Sequence, residues 1–208
     1  MVQVTGIVLA AGEGRRAGGV KALLTLGGQT FVERVVTAVR DAGCEPVTVV
    51  GGADAVRVET EAQRLGADFV LNEHWEKGQF TSLRAGVVST LARDPHAVGT
   101  AALVALVDHP AVLPETYRTL VSTFRAAPDR IVIPVYEDGR TRKLTRGHPV
   151  VLPPEVLEEV AAAAEGATLR DIIHERAGLI LEVRVEDQGV LKDIDTAADL
   201  DRAGGQNA

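Results

Sequence analysis

The feature of this sequence that most restricts its fold is the alternation of short apolar segments with stretches of helical periodicity. In the longer apolar segments the apolar residues occupy consecutive positions, as in residues 101–107. A strand with one solvated face would alternate apolar and polar residues, so this pattern predicts parallel strands that are covered on both faces. The predicted strands are residues 6–9, 47–50, 69–71, 101–107, 131–133 and 181–183.

The segments between these strands predict helices. Thr30 and Glu33 have the spacing of a capping box at the start of one helix. Further helices are predicted over residues 82–91, 114–124 and 154–164, and the last two begin with proline, which suits a first helical turn. This alternation predicts the α/β class, with a doubly wound, mostly parallel sheet and helices on both faces. Residues 3–203 are expected to form one domain, followed by a frayed tail over residues 204–208.

Composition and charge argue against several classes of protein. Of the 208 residues 46% are apolar and only 3% aromatic, so an aliphatic core is expected. The formal net charge of −7 argues against a nucleic-acid binder, which needs clustered lysine and arginine.

The single cysteine, Cys44, excludes an internal disulfide and suits a reducing compartment. The first residues lack the pattern of a signal peptide, and the longest apolar run is too short to span a membrane. We therefore expect a cytoplasmic protein with neither a nucleic-acid nor a membrane partner.

One stretch departs from the alternation of strands and helices. Residues 135–151 are polar, contain two glycines and carry several cationic or titratable side chains, namely Arg140, Arg142, Lys143, Arg146 and His148. We expect this stretch to form an irregular hairpin or excursion near the C-terminal edge of the sheet.

A glycine-rich loop follows the first predicted strand, over residues 9–21. Ligands of parallel α/β sheets bind at such strand ends. The spacing differs from a Walker A loop by one extra residue before Lys21, and from the dinucleotide fingerprint because Gly18 comes one position late. The four glycines, together with Arg15, Arg16 and Lys21, nevertheless indicate an anion-binding nest. The alternative is a glycine-rich turn with solvated cations.

This loop, LAAGEGRRAGGVK, resembles the signature L-A-A-G-x-G-x-R-M-G-x-x-K of the nucleotidyltransferase family with a MobA-like fold, with Ala17 where methionine is usual. The resemblance extends over residues 4–200 and implies a Rossmann-like nucleotidyltransferase fold. In that family the loop wraps the triphosphate of a nucleotide. The resemblance therefore implies that Arg16 contacts the phosphates and that Lys21 lies at the α-phosphate. The other implied nucleotide contacts of this loop are Leu9, Ala10, Ala11, Gly12 and Gly14.

A second segment supports the same family. Residues 78–86 resemble the family motif G-x-x-x-S-L-R-x-G, which implies that Ser82 approaches the nucleotide. The alternative is structural, with Thr81 or Ser82 as the N-cap of the following helix. Both interpretations can hold together, because a helix N-terminus also binds anions.

Two aspartates are candidates for a metal site. Asp108 follows an apolar strand, where its carboxylate is a suitable oxygen ligand for Mg²⁺, and it resembles the family's metal-binding Asp-x-Pro. Residues 191–200 resemble the family's closing D-I-D-T-P-E-D-L, which implies that Asp195 is the second metal ligand, with Asp193 as the alternative. We expect Asp195 to end a strand and Thr196 to cap the last helix. Without metal, the two carboxylates are expected to repel each other, so that one binds a proton more tightly.

The segment Arg146-Gly147-His148-Pro149-Val150 resembles the G-H-P-V of one branch of the family, the molybdenum cofactor cytidylyltransferases and their close relatives. In that branch the segment borders the acceptor pocket, which implies that Gly147 and His148 contact the acceptor. The alternative is a glycine turn with a solvated histidine. Residues 165–170 match the branch's G-D-x-G-A-R element only loosely, which leaves the acceptor open.

The sequence therefore predicts a Mg²⁺-dependent nucleotidyltransferase that acts on an NTP and a phosphorylated acceptor, with molybdopterin as one candidate, and releases pyrophosphate. Its predicted catalytic residues are Arg16, Lys21 and Asp108. CTP is favoured over GTP, because residues 9–12, LAAG, resemble the cytidylyltransferase pattern, whereas LAGG is typical of guanylyltransferases. The methyl group of Ala11 also leaves less room beside the base than that glycine. A transferase for GTP or another NTP, acting on a different phosphorylated metabolite, is an alternative. A protein partner that delivers the acceptor or receives the product is also compatible with the sequence.

Two functions of other classes compete with this prediction. A catalytically silent nucleotide-binding or regulatory domain would keep the glycine loop, but it need not keep two cations and two carboxylates of the site. A dinucleotide-dependent oxidoreductase would place an acidic residue after the second strand to hold a ribose. Here that strand is followed by Gly51 and Gly52.

Overall fold

The computed structural model describes residues 2–93 and 99–205. The strands are β1 (Val4–Leu9), β2 (Thr25–Leu26), β3 (Gln29–Thr30), β4 (Val47–Gly51), β5 (Asp68–Leu71), β6 (Ala101–Leu106), β7 (Ile131–Glu137), β8 (Leu144–Arg146), β9 (Val150–Leu152) and β10 (Ile180–Val185). The main sheet has the order β10-β7-β9-β6-β1-β4-β5, and β8 pairs with β7. Strands β2 and β3 form a separate antiparallel hairpin.

The predicted sheet is confirmed in its parallel part. Strand β1 pairs in parallel with β4 and β6, β4 with β5, and β7 with β10. These strands contain the predicted strand segments, except that β6 ends one residue before the predicted end at residue 107. The consecutive apolar residues of β1 and β6 are buried throughout, as expected for strands covered on both faces.

The polar stretch over residues 135–151 contributes more to the sheet than an excursion would. Strand β7 continues to Glu137 and forms an antiparallel hairpin with β8, which agrees with the predicted hairpin. The following strand β9 then enters the sheet antiparallel between β6 and β7. Its side chains are buried, but three apolar residues after a polar turn are too short a signal to predict a strand.

Helices connect the strands. They are α1 (Phe31–Asp41), α2 (Ala55–Arg64), α3 (Gln79–Arg93), α4 (Pro114–Ala126), α5 (Pro154–Ala162), α6 (Leu169–Glu175) and α7 (Ala197–Gly205). The capping box of α1 is confirmed, since the Glu33 N–H donates to Thr30 Oγ1 at 3.1 Å. The alternative interpretation of Thr81 or Ser82 as a helix N-cap is wrong, because α3 begins earlier, at Gln79.

The helices cover both faces of the sheet, which confirms the doubly wound architecture. Alternate residues of β1 point to opposite faces, so Val8 packs in one core cluster with α1 and α4. Ile7 packs in a second cluster with α3 and α5. Aliphatic side chains dominate both clusters, in agreement with the low aromatic content.

Within the two described ranges, no helix combines the length and the apolar character needed to cross a membrane. Helix α7 is described as far as Gly205. The expected tail over residues 204–208 therefore overlaps the end of α7 and otherwise lies outside the described residues.

Helix α3 approaches the sheet so closely that it has no room for a side chain at Gly86. A Cβ atom at this position would lie 2.7 Å from Ile7 Cγ2 and 2.9 Å from Val50 Cγ2. Both contacts are with β-branched side chains of central strands, which have little freedom to move away. Gly86 therefore sets the distance between α3 and the sheet.

We predict that Gly86→Ala destabilises the protein, although alanine is the better helix former by about 1 kcal/mol. Overpacking of a core typically costs about 1–3 kcal/mol, which outweighs that gain. Urea unfolding should show a lower midpoint than in the wild type. Gly178→Ala is the matched control, because a Cβ atom there meets nothing within 4 Å. A midpoint for Gly86→Ala at or above that of the control would contradict this packing.

Candidate active site

The glycine-rich loop and Asp108 leave the sheet side by side. Leu9 and Leu106 are register partners at the ends of β1 and β6, so the segments that follow them begin at the same edge. The Ala10 N–H donates to the Val50 carbonyl at 2.8 Å, and the Ala53 N–H donates to the Ala11 carbonyl at 3.1 Å. These bonds hold the first residues of the loop against the end of β4.

Backbone conformation explains the glycines of the loop. Gly14 has a φ of +64°, and a Cβ atom there would lie 2.1 Å from the Gly19 carbonyl oxygen, so no other residue fits. Gly12 is exposed, and a Cβ atom there would meet nothing within 4 Å. Its backbone is therefore open to a ligand. The side chain of Arg15 lies outside the described part of the structure.

Lys21 connects the loop to both candidate metal ligands. Its Nζ donates hydrogen bonds to Asp108 Oδ2 at 2.9 Å and to Asp195 Oδ1. Arg16 also reaches Asp195, with 3.4 Å between Nη2 and Oδ2. The Lys21 side chain is only 14% exposed, whereas that of Arg16 is 77% exposed. The structure thus brings together the four side chains for which the sequence predicts phosphate and metal contacts.

Charge pairing controls the ionisation of this cluster. Burial of Lys21 disfavours its charged form, but the hydrogen bonds that it donates to Asp195 and Asp108 outweigh that effect and raise the pKa of Lys21. The hydrogen bond from Lys21 lowers the pKa of Asp195. The expectation that the two carboxylates repel each other and hold a proton is therefore wrong for Asp195, because the Lys21 ammonium lies between them.

Asp195 reaches the cluster through residues 188–195, here named the strap. The strap begins with a short 3-10 helix, Gln188–Leu191, and then crosses the turns that carry Asp108 and His148. The Ile194 N–H donates to the Asp108 carbonyl at 2.8 Å, and the His148 N–H donates to the Val190 carbonyl at 2.9 Å. Asp195 therefore follows an irregular segment. The prediction of a strand that ends at Asp195 is wrong, because the strap pairs with no strand of the described sheet.

The start of the last helix agrees with the sequence. The Asp199 N–H donates to Thr196 Oγ1 at 3.2 Å, and the Thr196 N–H donates to Asp199 Oδ2 at 2.9 Å. Thr196 is therefore the cap that was expected. Asp193 is exposed and lines a separate hollow of about 700 Å³. The structure thus brings Asp195, and not Asp193, to Lys21.

A cleft of about 1290 Å³ begins at the ends of β1 and β6. Apolar and small residues form part of its wall, including Leu9, Leu106, Ile133, Val150 and Gly147. The described lining also contains Lys77, Arg84, Arg146, Arg170 and a single acidic residue, Glu165. In a protein of net charge −7 this local excess of positive charge suits an anionic ligand.

His148 lines the cleft and is half-buried, which differs from the alternative of a solvated histidine. Its ring centroid lies 5.5 Å from that of His109, the residue after Asp108. Burial, with a smaller contribution from His109, lowers the pKa of His148 to about 4. His148 is therefore neutral at physiological pH and can offer the cleft a hydrogen bond without a charge. His109 is buried, with Nδ1 3.3 Å from the Gly189 carbonyl oxygen.

Ser82 lies behind the wall of the cleft, only 2% exposed. Its hydroxyl accepts a hydrogen bond from Asn72 Nδ2 at 2.9 Å, and Thr81 Oγ1 accepts another at 2.8 Å. Asn72 itself lines the cleft and was missed by the sequence analysis. A polar residue directly after the short strand β5 was the signal that could have identified it.

The residues present fit a divalent cation. The carboxylates of Asp108 and Asp195 converge on one ammonium group, so they can converge on a metal ion. Residues 2–93 and 99–205 contain no group of three or more histidine, cysteine or acidic side chains that could hold a metal ion. Mg²⁺ commonly takes one or two protein carboxylates and completes its coordination with substrate phosphates and water. The two aspartates suit this kind of site.

Comparison with known proteins places the chain in a family. Residues 6–179 match the MobA-like NTP transferase domain. The chain belongs to this family. It is 33% identical over 202 residues to nicotine blue oxidoreductase from Paenarthrobacter nicotinovorans, an alignment that covers 96% of this chain and 95% of the relative. A shorter match, 49% identical over 51 residues, is to the probable molybdenum cofactor guanylyltransferase of Opitutus terrae and covers 24% of this chain and 25% of that protein.

Solved structures of other proteins share the fold of this chain. Rv0371c from Mycobacterium tuberculosis H37Rv superimposes with a TM-score of 0.78 at 30% identity and 98% coverage of both chains. A complex of the same protein with manganese has a TM-score of 0.73 at 28% identity, again with 98% of each chain covered. The MobA-like NTP transferases bind an NTP and a phosphorylated acceptor, and they typically use divalent metal ions.

We predict that Gly147→Ala displaces the strap, because a Cβ atom there would lie 2.3 Å from the Val190 carbonyl oxygen. This contact is with backbone, so the strap must move, at a typical overpacking cost of about 1–3 kcal/mol. Urea unfolding should show the loss of stability. The control is Gly139→Ala, where a Cβ atom meets nothing within 4 Å. Equal midpoints for the two variants would show that the strap does not depend on Gly147.

Proposed function

We propose that this protein transfers a cytidylyl group from CTP to a phosphorylated small-molecule acceptor, with Mg²⁺ and with release of pyrophosphate. The observation that carries the proposal is the convergence of Lys21, Asp108 and Asp195 at the open end of the glycine-rich loop. A cation that reaches two carboxylates beside an exposed glycine backbone suits a metal-bound triphosphate. Membership of the MobA-like NTP transferases supports the same reaction class.

The transfer requires no covalent intermediate with the protein. An anionic oxygen of the acceptor phosphate attacks the α-phosphorus, the bond from the α-phosphorus to the bridging oxygen breaks, and pyrophosphate leaves with that oxygen. No proton has to be removed from an acceptor phosphate that is already ionised. The difficulty is the approach of two anions, so catalysis depends on charge stabilisation and positioning.

Each part of the site has a role in that stabilisation. The N–H groups around Gly12 and Gly14 hold the triphosphate, and Arg16 and Lys21 offset its negative charge. When bound by Asp108 and Asp195, a divalent cation stabilises charge on the triphosphate and on the leaving pyrophosphate. The cleft, with His148 and Gly147 in its wall, holds the acceptor.

The size and charge of the cleft support a large anionic acceptor. Its volume of about 1290 Å³ exceeds the usual range for a single drug-sized ligand, which leaves room for a base and an acceptor together. Molybdopterin, which combines a fused ring system with a phosphate, is our first candidate, and the partial match to a molybdenum cofactor guanylyltransferase supports it. Residues 165–170 line the cleft, so their loose match to the cytidylyltransferase branch bears directly on the acceptor.

A second candidate function follows from the name of the relative at 33% identity, which is an oxidoreductase. That function would need a reduced dinucleotide and an electron acceptor. Strand β4 ends at Gly51, followed by Gly52, and neither can hold a ribose through a carboxylate. Oxidation of NADH or NADPH in the presence of nicotine blue, without release of pyrophosphate from any NTP, would establish this second function and exclude the first.

We predict that CTP supports faster pyrophosphate release than GTP when each of the four NTPs is incubated with Mg²⁺ and molybdopterin. Ala11 is 7% exposed and its carbonyl accepts a hydrogen bond from the Ala53 N–H, so its position is fixed. A purine beside its methyl group would have less room than a pyrimidine. Ala11→Gly should therefore raise the rate with GTP relative to CTP. Equal or faster turnover of GTP by the wild type would refute the CTP preference and leave the transferase reaction intact.

We predict that Asp108→Asn and Asp195→Asn each lower the rate of pyrophosphate release by about 100-fold or more, by analogy with the loss of one charge-stabilising group. The double variant should lose little more, because the two carboxylates act as one unit. Asp193→Asn, two positions away on the strap, is the matched control and should keep the wild-type rate. A normal rate in Asp195→Asn, with a loss in Asp193→Asn, would move the second ligand to Asp193.

A further inference from the structure

Lys21 has two sets of hydrogen-bond acceptors, and its ammonium group cannot contact both sets at the same time. Its Nζ is hydrogen-bonded to the carboxylates of Asp108 and Asp195, which are the oxygens assigned above to a divalent cation. The proposed reaction also requires the same ammonium group at the α-phosphate. An ammonium and a divalent cation compete for these carboxylate oxygens, because both bind through the same negative charge.

We propose that Lys21 exchanges partners during nucleotide binding. In the nucleotide-free protein its ammonium is hydrogen-bonded to Asp108 and Asp195 and competes with a divalent cation for their oxygens. The incoming triphosphate draws the ammonium away, and the cation then binds together with the nucleotide. This inference rests on the proposed function, because it takes the two aspartates as the metal ligands. It makes metal and nucleotide binding mutually dependent, so each raises the affinity of the other.

The charges and exposure of the cluster support this exchange. The two carboxylates carry two negative charges, of which Lys21 offsets one, and Arg16 lies 3.4 Å from Asp195. The Lys21 side chain is 14% exposed, so solvent screens its contacts less than those of Arg16, which is 77% exposed. Lys21 is therefore the cation that blocks the carboxylates, and Arg16 contributes less.

The local structure allows the movement. Lys21 follows the glycine-rich loop directly and begins the short 3-10 helix Lys21–Leu23. Its four-carbon stem carries a compact charge that can rotate between acceptors without a change in the backbone. The open backbone at Gly12 lies in the same loop, so a phosphate bound there offers the ammonium an alternative acceptor.

Binding of Mn²⁺, followed by the electron paramagnetic resonance signal of the free ion, tests the exchange without any turnover. The wild type should bind Mn²⁺ weakly alone and more tightly with CTP. Lys21→Met, which keeps the apolar stem, should bind Mn²⁺ alone about tenfold or more tightly than the wild type, because the competing charge is gone. CTP should strengthen Mn²⁺ binding less in this variant. Lys143→Met removes the same charge from an exposed hairpin and should behave like the wild type.

Equal Mn²⁺ affinity of the wild type and Lys21→Met, without nucleotide, would overturn the exchange. If Asp108→Asn and Asp195→Asn still abolish Mn²⁺ binding, that result leaves the proposed metal site intact. If these aspartate substitutions leave Mn²⁺ binding unchanged in the Lys21→Met background, the metal assignment itself fails. Circular dichroism establishes that each variant is folded, and Lys21→Gln replaces Lys21→Met in the same titrations if the latter does not fold.

Discussion

The site depends on one interaction, the contact of a single ammonium group with two carboxylates that are distant in sequence. Lys21 lies 87 positions from Asp108 and 174 positions from Asp195. Its hydrogen bonds therefore connect the glycine-rich loop to the end of β6 and to the strap. Without a cation between them, two carboxylates at this separation would oppose the approach of the strap to β6. Lys21 thus serves both the architecture and the proposed chemistry.

The strap brings Asp195 to Lys21, and contacts between main-chain groups hold the strap in position. Asp195 is held near Asp108 by a hydrogen bond between main-chain groups, from the Ile194 N–H to the Asp108 carbonyl. Two glycines allow the strap to approach, because a Cβ atom at Gly147 or Gly189 would lie within 2.6 Å of a carbonyl oxygen. The precision of the carboxylate pair therefore comes from close backbone packing, which is stiffer than contact between side chains.

The sequence predicted the elements with a strong local signal. Consecutive apolar residues identified the central parallel strands β1, β4 and β6, because burial on both faces leaves few polar positions in them. Strand β9 was missed because three residues are too few to show a period, and its place between β6 and β7 depends on long-range pairing. The proximity of Asp108 to the loop followed from parallel strand ends. That of Asp195 was predicted from a family resemblance and from an expected strand end, and the strand is absent because Asp195 follows an irregular strap. Asn72 was missed because its partners become neighbours only after folding.

The relative at 33% identity is named an oxidoreductase, so the reaction of this chain has to be inferred from its site residues and not from its fold. A shared α/β fold does not by itself determine the reaction, because chemistry depends on the side chains at the strand ends. In this chain the end of β6, the glycine-rich loop and the strap bring two carboxylates and two cations into contact, an arrangement that suits a polyphosphate and a metal ion. Hydride transfer needs neither carboxylate, and it would leave the charges of the cluster without a role. The chemistry of this charged cluster therefore favours nucleotidyl transfer.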